Sequence, residues 1–372
     1  MQPELFTIPF LNISIKAYGT MTVLGFLVGM LLARWRARKI GEDPERITNY
    51  ALAALVLGII GARVMYIIHY WEDDFADEPI KILQIWMGGQ EFLGGFLGAI
   101  GGLFVWLKFK KRSFLQVTDI LAPSLALGLA LGRLGCFLNG CCYGGACDLP
   151  WAMQFPALNE MTVQRPGGQT EKTYRYSPAY AHQLYGNPQR DPEARPLLEL
   201  PDEFNAYYVN EQGYPVNSLA LIPADRLDEY HPVPKLPDEL AATQREALLR
   251  GDHPMQPVHT TQLYAFVNAL LICLVLNRLW RRRGYVGQVS AALLVLYGPT
   301  RFVLEAIRVD NPIEVTGLTV SQNLSILAVI AGVIMHITLR KRNAVTVEPQ
   351  PVQEDRDGIK SGQSDAGAVS GR

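Results

Sequence analysis

Gly132-Arg133-Leu134-Gly135-Cys136-Phe137-Leu138-Asn139-Gly140-Cys141-Cys142-Tyr143-Gly144 closes a long apolar run and sets one arginine, one asparagine, four glycines and three thiols at its end. A run of that length reads as a membrane span, and an arginine bordering a bilayer core costs about 2.5–3.5 kcal/mol when nothing compensates it. Its presence points to a ligand, a pathway or an anion. Arg133 is therefore the first functional candidate.

Working outward, the apolar residues cluster into blocks of spanning length, and the net charge of -1 says little about partners. A bilayer core of about 30 Å needs roughly 20 mostly apolar helical residues. Seven segments meet or approach that length, at about 18–36, 49–71, 92–108, 116–136, 262–280, 286–305 and 319–339. The first lacks a basic region before it and a small-residue cleavage site after it, which excludes a cleavable leader. Positive charge marks the cytoplasmic loops. One set carries Arg34, Arg36, Arg38, Lys39 and Arg46, then Lys108, Lys110, Lys111 and Arg112, then Arg278, Arg281, Arg282 and Arg283, then Arg340, Lys341 and Arg342. The alternate connections, Trp71-Glu72-Asp73-Asp74 and Val309-Asp310-Asn311-Pro312, are acidic or neutral. The expected fold is an all-α polytopic membrane protein of seven transmembrane helices, N-terminus outside and C-terminus cytoplasmic.

The expected organisation is helices 1–4 over residues 1–141, an extracytoplasmic cap over 142–261, helices 5–7 over 262–342 and a disordered cytoplasmic tail over 343–372. The cap is rich in Pro, Asp, Glu, Arg and Tyr, with a strand-like piece at Phe204–Val209 and an amphipathic piece near Pro237–Arg250. It reads either as a small α+β domain or as an irregular polar loop. The tail has no aromatic residue and a disorder-prone composition. Basic residues form short clusters and no continuous face, so nucleic acid is excluded as a partner.

Arg301 stands at a depth comparable to Arg133, and Glu305, four residues on, projects from the same helix face and can pair with it. Two arginines from different helices suit a phosphate, which accepts the planar guanidinium in bidentate fashion. A phospholipid headgroup is the phosphate available at that depth. Arg63 is a third intramembrane cation, with the alternative of a carboxylate partner inside the bundle. Tyr18 at the head of the first span suits an aromatic-belt anchor. The small residues Gly94, Gly95, Gly98, Gly101 and Gly102 fit either tight helix packing or a lipid chain lying on bare backbone. Cys136, Cys141, Cys142 and Cys147 lack the two C-x-x-C pairs of a zinc site, so no metal is expected and a disulfide clip among them is. Cys273 reads as a small buried apolar residue. His259 fits either acid–base work or a hydrogen-bonding cap, and Thr260 or Thr261 can cap the next helix.

These residues together resemble the bacterial prolipoprotein diacylglyceryl transferase family. The resemblance rests on Tyr18-Gly19, Gly61-Ala62-Arg63, Phe92-Leu93-Gly94-Gly95, Lys111-Arg112-Ser113-Phe114 and Asp119 through Pro123. It continues through Gly132-Arg133-Leu134-Gly135, Asn139-Gly140, Pro150-Trp151, His259 with Gln262-Leu263-Tyr264, Tyr297-Gly298 with Arg301-Phe302 and Glu305, and Gly317-Leu318-Thr319 with Ser321-Gln322. The family resemblance implies transfer of the diacylglyceryl group of phosphatidylglycerol to the lipobox cysteine of a secreted precursor, giving a thioether and glycerol phosphate. It implies residence in the inner membrane with the active site opening toward the outer leaflet, no cofactor and a monomer. Its partners are phosphatidylglycerol, prolipoprotein lipobox peptides and membrane lipids.

Carried onto this chain, the pattern makes Arg133 and Arg301 catalytic. Arg63, Asn139, Gly144, Gln262, Tyr264, Tyr297, Glu305, Tyr18, His259, Gly94 and Gly95 are the substrate-contacting candidates. Asn139 and Gln262 would position headgroup oxygens, and Tyr297 and Glu305 would orient Arg301. The chain departs from the pattern at Leu93, where the family has a histidine, and at Cys136 and Cys141, where it has asparagine and glutamate. Leu93 cannot take a proton, which favours a rival reading as a catalytically inactive lipid- or lipoprotein-binding paralogue. A transporter would need internal repeats, and a thiol–disulfide enzyme an exposed C-x-x-C pair. The sequence shows neither.

Overall fold

The computed structural model describes residues 4–8, 13–76, 78–84, 89–164, 170–185, 197–210, 215–216, 230–309, 311 and 317–342. The expected tail, 343–372, lies outside them. The chain is mostly helical, and six of its helices are long and apolar enough to cross a membrane: α1 (Ala17–Lys39), α2 (Pro44–His69), α4 (Phe114–Asn139), α7 (Thr261–Arg281), α8 (Gln288–Ile307) and α9 (Val320–Arg342). Between them comes a shorter apolar helix, α3 (Phe92–Phe109), which corresponds to the third expected span. A hairpin that the hydropathy pattern does not announce, β1 (Glu4–Ile8) with β2 (Ile13–Lys16), leads into α1.

Close contacts divide the described residues into two compact units, one within 1–31 and 113–342 and the other within 32–112. In the second unit, α2 starts five residues before its expected boundary because Asp43 and Pro44 build its N-terminus. The Asp43 carboxylate accepts the Glu45 N–H at 2.9 Å, and Pro44 fills a position whose N–H would have no partner. α3 then lies backbone to backbone on α2. A Cβ on Gly98 would sit 2.5 Å from the Leu57 carbonyl, and one on Gly94 would strike Gly61 and Met65. Small residues permit that approach, and in hydrocarbon the resulting dispersion contacts hold helices together.

In the first unit, α4 ends at Gly140, whose φ of 72° closes the helix in the left-handed region that glycine enters at little cost. Near the other end of α4 the buried Asp119 carboxylate accepts the N–H groups of Gly287 (2.7 Å) and Ser290 (2.8 Å) and the Ser290 hydroxyl (2.8 Å). This fastens the start of α8 to α4. From that clamp α4 runs 14 residues to Arg133 and α8 runs 11 from Ser290 to Arg301, about 21 Å and 17 Å at 1.5 Å per residue. The two arginines therefore arrive at similar heights. α9 packs on α8 where Gly298 and Gly332 leave no room for a side chain. The outward faces stay apolar, with Leu31, Ile68, Leu274, Leu327 and Ile334 all exposed, as a bilayer solvent requires.

The polar region between α4 and α7 is folded where it is described. β3 (Leu158–Gln164) and β4 (Thr170–Tyr176) form an antiparallel hairpin, and β5 (Asn205–Asn210) lies between β6 (Pro215–Val216) and β7 (Tyr230–Pro234). With α5 (Pro178–Tyr185) and α6 (Ala242–Arg250) these strands enclose a core that includes Phe155, Tyr180, Phe204, Leu248 and Met255. The strand-like and amphipathic pieces of the sequence thus appear as β5 and α6, and the α+β alternative holds.

Candidate active site

The end of α4, the start of α7 and the C-terminal half of α8 build one site within the first unit. Arg133 and Arg301 line a single narrow cavity together with Asn268, Tyr297 and apolar side chains of α4, α7 and α8. Glu305, fully buried, faces the Arg301 guanidinium at 2.6 Å and that of Arg308 at 3.4 Å. Thr319 and Asn311 also donate to it. The Arg301 guanidinium donates to the Ser321 hydroxyl of α9 at 2.9 Å, and Thr319 and Gln322 exchange backbone–side-chain bonds that start α9 there.

The charge count is the important quantity. The guanidiniums of Arg301 and Arg308 share the buried Glu305 carboxylate, and Arg133 makes no ion pair among the described residues. The site thus carries net positive charge in a poorly solvated place. That is unfavourable by itself and favourable once an anion enters.

α7 supplies the second half. The Gln262 amide N–H donates to the Cys141 carbonyl at 2.8 Å, while its own carbonyl oxygen is buried with no hydrogen-bond partner among the described residues. Such an acceptor costs stability until a donor reaches it. Thr261 donates its hydroxyl to the Cys142 carbonyl, so the helix-capping role read from sequence goes unused, and the N-cap residue Thr260 makes no side-chain cap bond. Gly144 is held by its N–H to the His259 carbonyl at 2.9 Å. A side chain there would meet His259, Thr261 and the end of α8. Tyr264 accepts from Trp151 at 2.8 Å and lies 3.4 Å from His259 Nδ1. Tyr18 packs against Gly135, and Asn139 is the last residue of α4.

The cysteines depart from expectation. All five are free thiols, so the clip is not formed. Cys136, Cys141 and Cys142 bring their sulfurs within 4.8 Å of one another, whereas Cys147 is drawn off by its N–H to the Pro257 carbonyl. Hydrogen bonds from Cys136 and Cys141, with the charges of Arg308 and Arg133 behind them, hold the Cys142 thiol below its ordinary pKa despite burial.

Three candidates belong to the second unit. Arg63, 7% exposed, donates to the carbonyls of Gly89 (3.0 Å), Ile82 (3.3 Å) and Lys81 and lies beneath the rings of Tyr66 and Phe75. Its charge is compensated by the chain itself. Gly94 and Gly95 face α2, which fills the space a lipid chain would need. Residues that the sequence reading passed over are Arg308, placed by its spacing from Glu305, and Asn268, which donates to Thr300 at the cavity wall. An i, i+3 spacing from Glu305 was available as a signal for Arg308; Asn268 carried none.

Comparison with known proteins follows the same lines. A family model described as prolipoprotein diacylglyceryl transferase matches residues 3–338. The phosphatidylglycerol–prolipoprotein diacylglyceryl transferase of Serratia proteamaculans is 28% identical over 91% of this chain and 93% of its own length. That of Rhodopirellula baltica is 28% identical over 96% of this chain and 78% of its own. The Vibrio vulnificus enzyme of the same name is 40% identical over 146 residues, and the chain spans 54% of its length. With two arginines lining one cavity at the junction of α4, α7 and α8 and a family match running almost from end to end, the chain belongs to the prolipoprotein diacylglyceryl transferase family.

Proposed function

We propose that this chain transfers the diacylglyceryl group of phosphatidylglycerol to the cysteine thiol of a prolipoprotein lipobox, forming a thioether and releasing glycerol phosphate. The observation that carries the reading is the cavity lined by Arg133 and Arg301, where Glu305 pairs with Arg301 while Arg133 has no ion pair among the described residues. The phosphodiester takes the place of the missing counter-charge. Sulfur attacks the glyceryl carbon that carries the phosphate ester. The C–S bond forms as the C–O bond breaks, and the electron pair leaves with the phosphate oxygen. Guanidiniums already aimed at that oxygen stabilise the charge as it grows. Glu305 and Ser321 hold Arg301 in place, and the unpartnered Gln262 oxygen accepts from a hydroxyl of the glycerol headgroup. Tyr297 borders the same space.

The membrane reading extends this. Seven spans with α3 as the third, N-terminus outside and C-terminus cytoplasmic, put the ends of α4 and α8 on the outer side of a bacterial inner membrane. The site then opens to the outer leaflet, where phosphatidylglycerol and the emerging lipobox meet. Residues 142–261 then form an extracytoplasmic cap between helices 1–4 and helices 5–7, on a monomer. Belt residues Tyr18, Trp151, His259 and Tyr264 suit the interface.

The test is direct: purified protein, phosphatidylglycerol vesicles and a lipobox peptide, with thioether product read by mass spectrometry. Product formation that disappears when the peptide cysteine is changed to serine supports the reading. Lipid binding without any product would leave the inactive paralogue in its place.

A further inference from the structure

The proposed reaction consumes a thiolate, yet among the described residues the cavity proposed for the phosphate is lined by arginines, Asn268, Tyr297 and apolar side chains, with no carboxylate or histidine to take the thiol proton. Beside it stand three thiols that the reaction so far leaves idle. The last turn of α4 supplies Cys136. The chain then reverses through Gly140, and the Cys141 N–H bonds back to the Cys136 carbonyl at 3.2 Å. Cys142 adopts φ 64°, a left-handed conformation that a non-glycine residue pays to hold. Thr261 and Gln262 fasten the carbonyls of Cys142 and Cys141 from α7. All three sulfurs consequently converge within 4.8 Å.

We propose that Cys136, Cys141 and Cys142 form a three-thiolate site for one zinc ion whose fourth position takes the acceptor thiol of the lipobox. Zinc–sulfur bonds of about 2.3 Å put tetrahedral sulfur ligands about 3.8 Å apart, a spacing the cluster reaches with side-chain adjustment alone. Soft thiolate ligands select zinc or copper(I) over hard cations. Zinc with three thiolates carries one negative charge, and Arg308 stands beside the thiols to offset it. It also leaves a tetrahedral position open, the arrangement of catalytic zinc sites. The missing C-x-x-C spacing does not argue against this site, because a backbone reversal at Gly140 gathers these ligands. A disulfide would join two of the sulfurs and leave the third without a role.

The metal site stands on the cluster geometry, and its part in chemistry rests on the transferase reading. Coordination deprotonates a thiol outright, so the lipobox S–H gives its proton to water as sulfur binds. The bound thiolate then forms the C–S bond while the C–O bond breaks toward glycerol phosphate, and the weakly coordinating thioether departs.

The test uses full-length protein in detergent, reduced and stripped by chelator, then titrated with zinc alone and with cobalt(II) as a spectroscopic stand-in. The expected result is one ion per chain, a thiolate-to-cobalt charge-transfer band, and protection of three cysteines from alkylation in the unaltered protein. Cys136→Ser, Cys141→Ser and Cys142→Ser should each weaken binding at least 100-fold, with Cys147→Ser and Cys273→Ser unchanged. Lipobox peptide should shift the cobalt band. No binding, or binding retained in all three serine variants, overturns the site. Full transfer by stripped protein overturns the metal's role and leaves the transferase reading standing. Protein that binds zinc at these cysteines and transfers nothing sinks the transferase reading and leaves the metal site.

Discussion

Arg63 and Arg133 look alike as sequence, each a lone cation in an apolar helix, and they end in opposite circumstances. The Arg63 guanidinium spends its donors on the carbonyls of Lys81, Ile82 and Gly89 and lies under two aromatic rings. Arg133 borders a cavity, shares its surroundings with Arg301 and Arg308, and has no ion pair among the described residues. The difference teaches that an intramembrane arginine marks a ligand site only when its charge and its five N–H donors are not already matched by the chain. Insertion cost shows that compensation exists. Only the three-dimensional count shows whether the protein or a ligand supplies it.

The sharpest way to break the comparison is to remove each charge. Arg133→Ala and Arg301→Ala should lower kcat/KM for diacylglyceryl transfer by at least about 10²–10³-fold, the magnitude of a lost preorganised charge donor, with little change in folded yield. Arg133→Lys should rescue little, since a point charge cannot bind a phosphate in bidentate fashion. Arg63→Ala should do the reverse, lowering folded yield and melting temperature while the folded fraction keeps turnover within a few-fold. Near-normal transfer by Arg301→Ala, or loss of transfer from a fully folded Arg63→Ala, would erase the distinction.

A smaller effect is expected at Gln262, whose carbonyl oxygen lacks a partner and whose amide holds Cys141. Replacement by leucine removes both and should raise KM for phosphatidylglycerol about 10-fold, the scale of one or two hydrogen bonds. Unchanged lipid KM would mean that the headgroup does not reach this oxygen. In the second unit, Gly98→Leu should separate α2 from α3 and cost about 2 kcal/mol or more of helix-pair stability, read as loss of protease-resistant protein.

Much of this was legible before any coordinates. The spans follow from length and apolarity, which bilayer thickness fixes independently of tertiary detail, so α1, α2, α4, α7, α8 and α9 fall within a few residues of their expected places. The pairing of Arg301 with Glu305 follows from helical periodicity. What was not legible depended on backbone excursions. The cysteine cluster needs the left-handed turn at Gly140 and φ 64° at Cys142, and the fate of Arg63 depends on where the chain after α2 presents its carbonyls.

The smallest expected effect lies in the polar region, which resembles an ordinary soluble core more than either arginine site. Burial pushes the phenols of Tyr176 and Tyr180 above their ordinary values, and both donate to backbone carbonyls, of Lys235 at 2.9 Å and His253 at 2.9 Å. In the unfolded chain a tyrosine ionises near pH 10, whereas the folded phenols keep their protons to higher pH. Between those two values the folded state binds more protons than the unfolded one, so stability falls as pH rises. The contribution is complete below about pH 10 and is lost as the folded phenols finally ionise. Near-ultraviolet spectra should show a late-titrating group of tyrosines that includes Tyr176 and Tyr180, together with alkaline loss of this region's structure while the apolar helices persist. Tyr180→Phe should flatten the alkaline decline and leave phosphate binding at Arg133 untouched, because the phenol serves the packing of this core and no charge of the site depends on it.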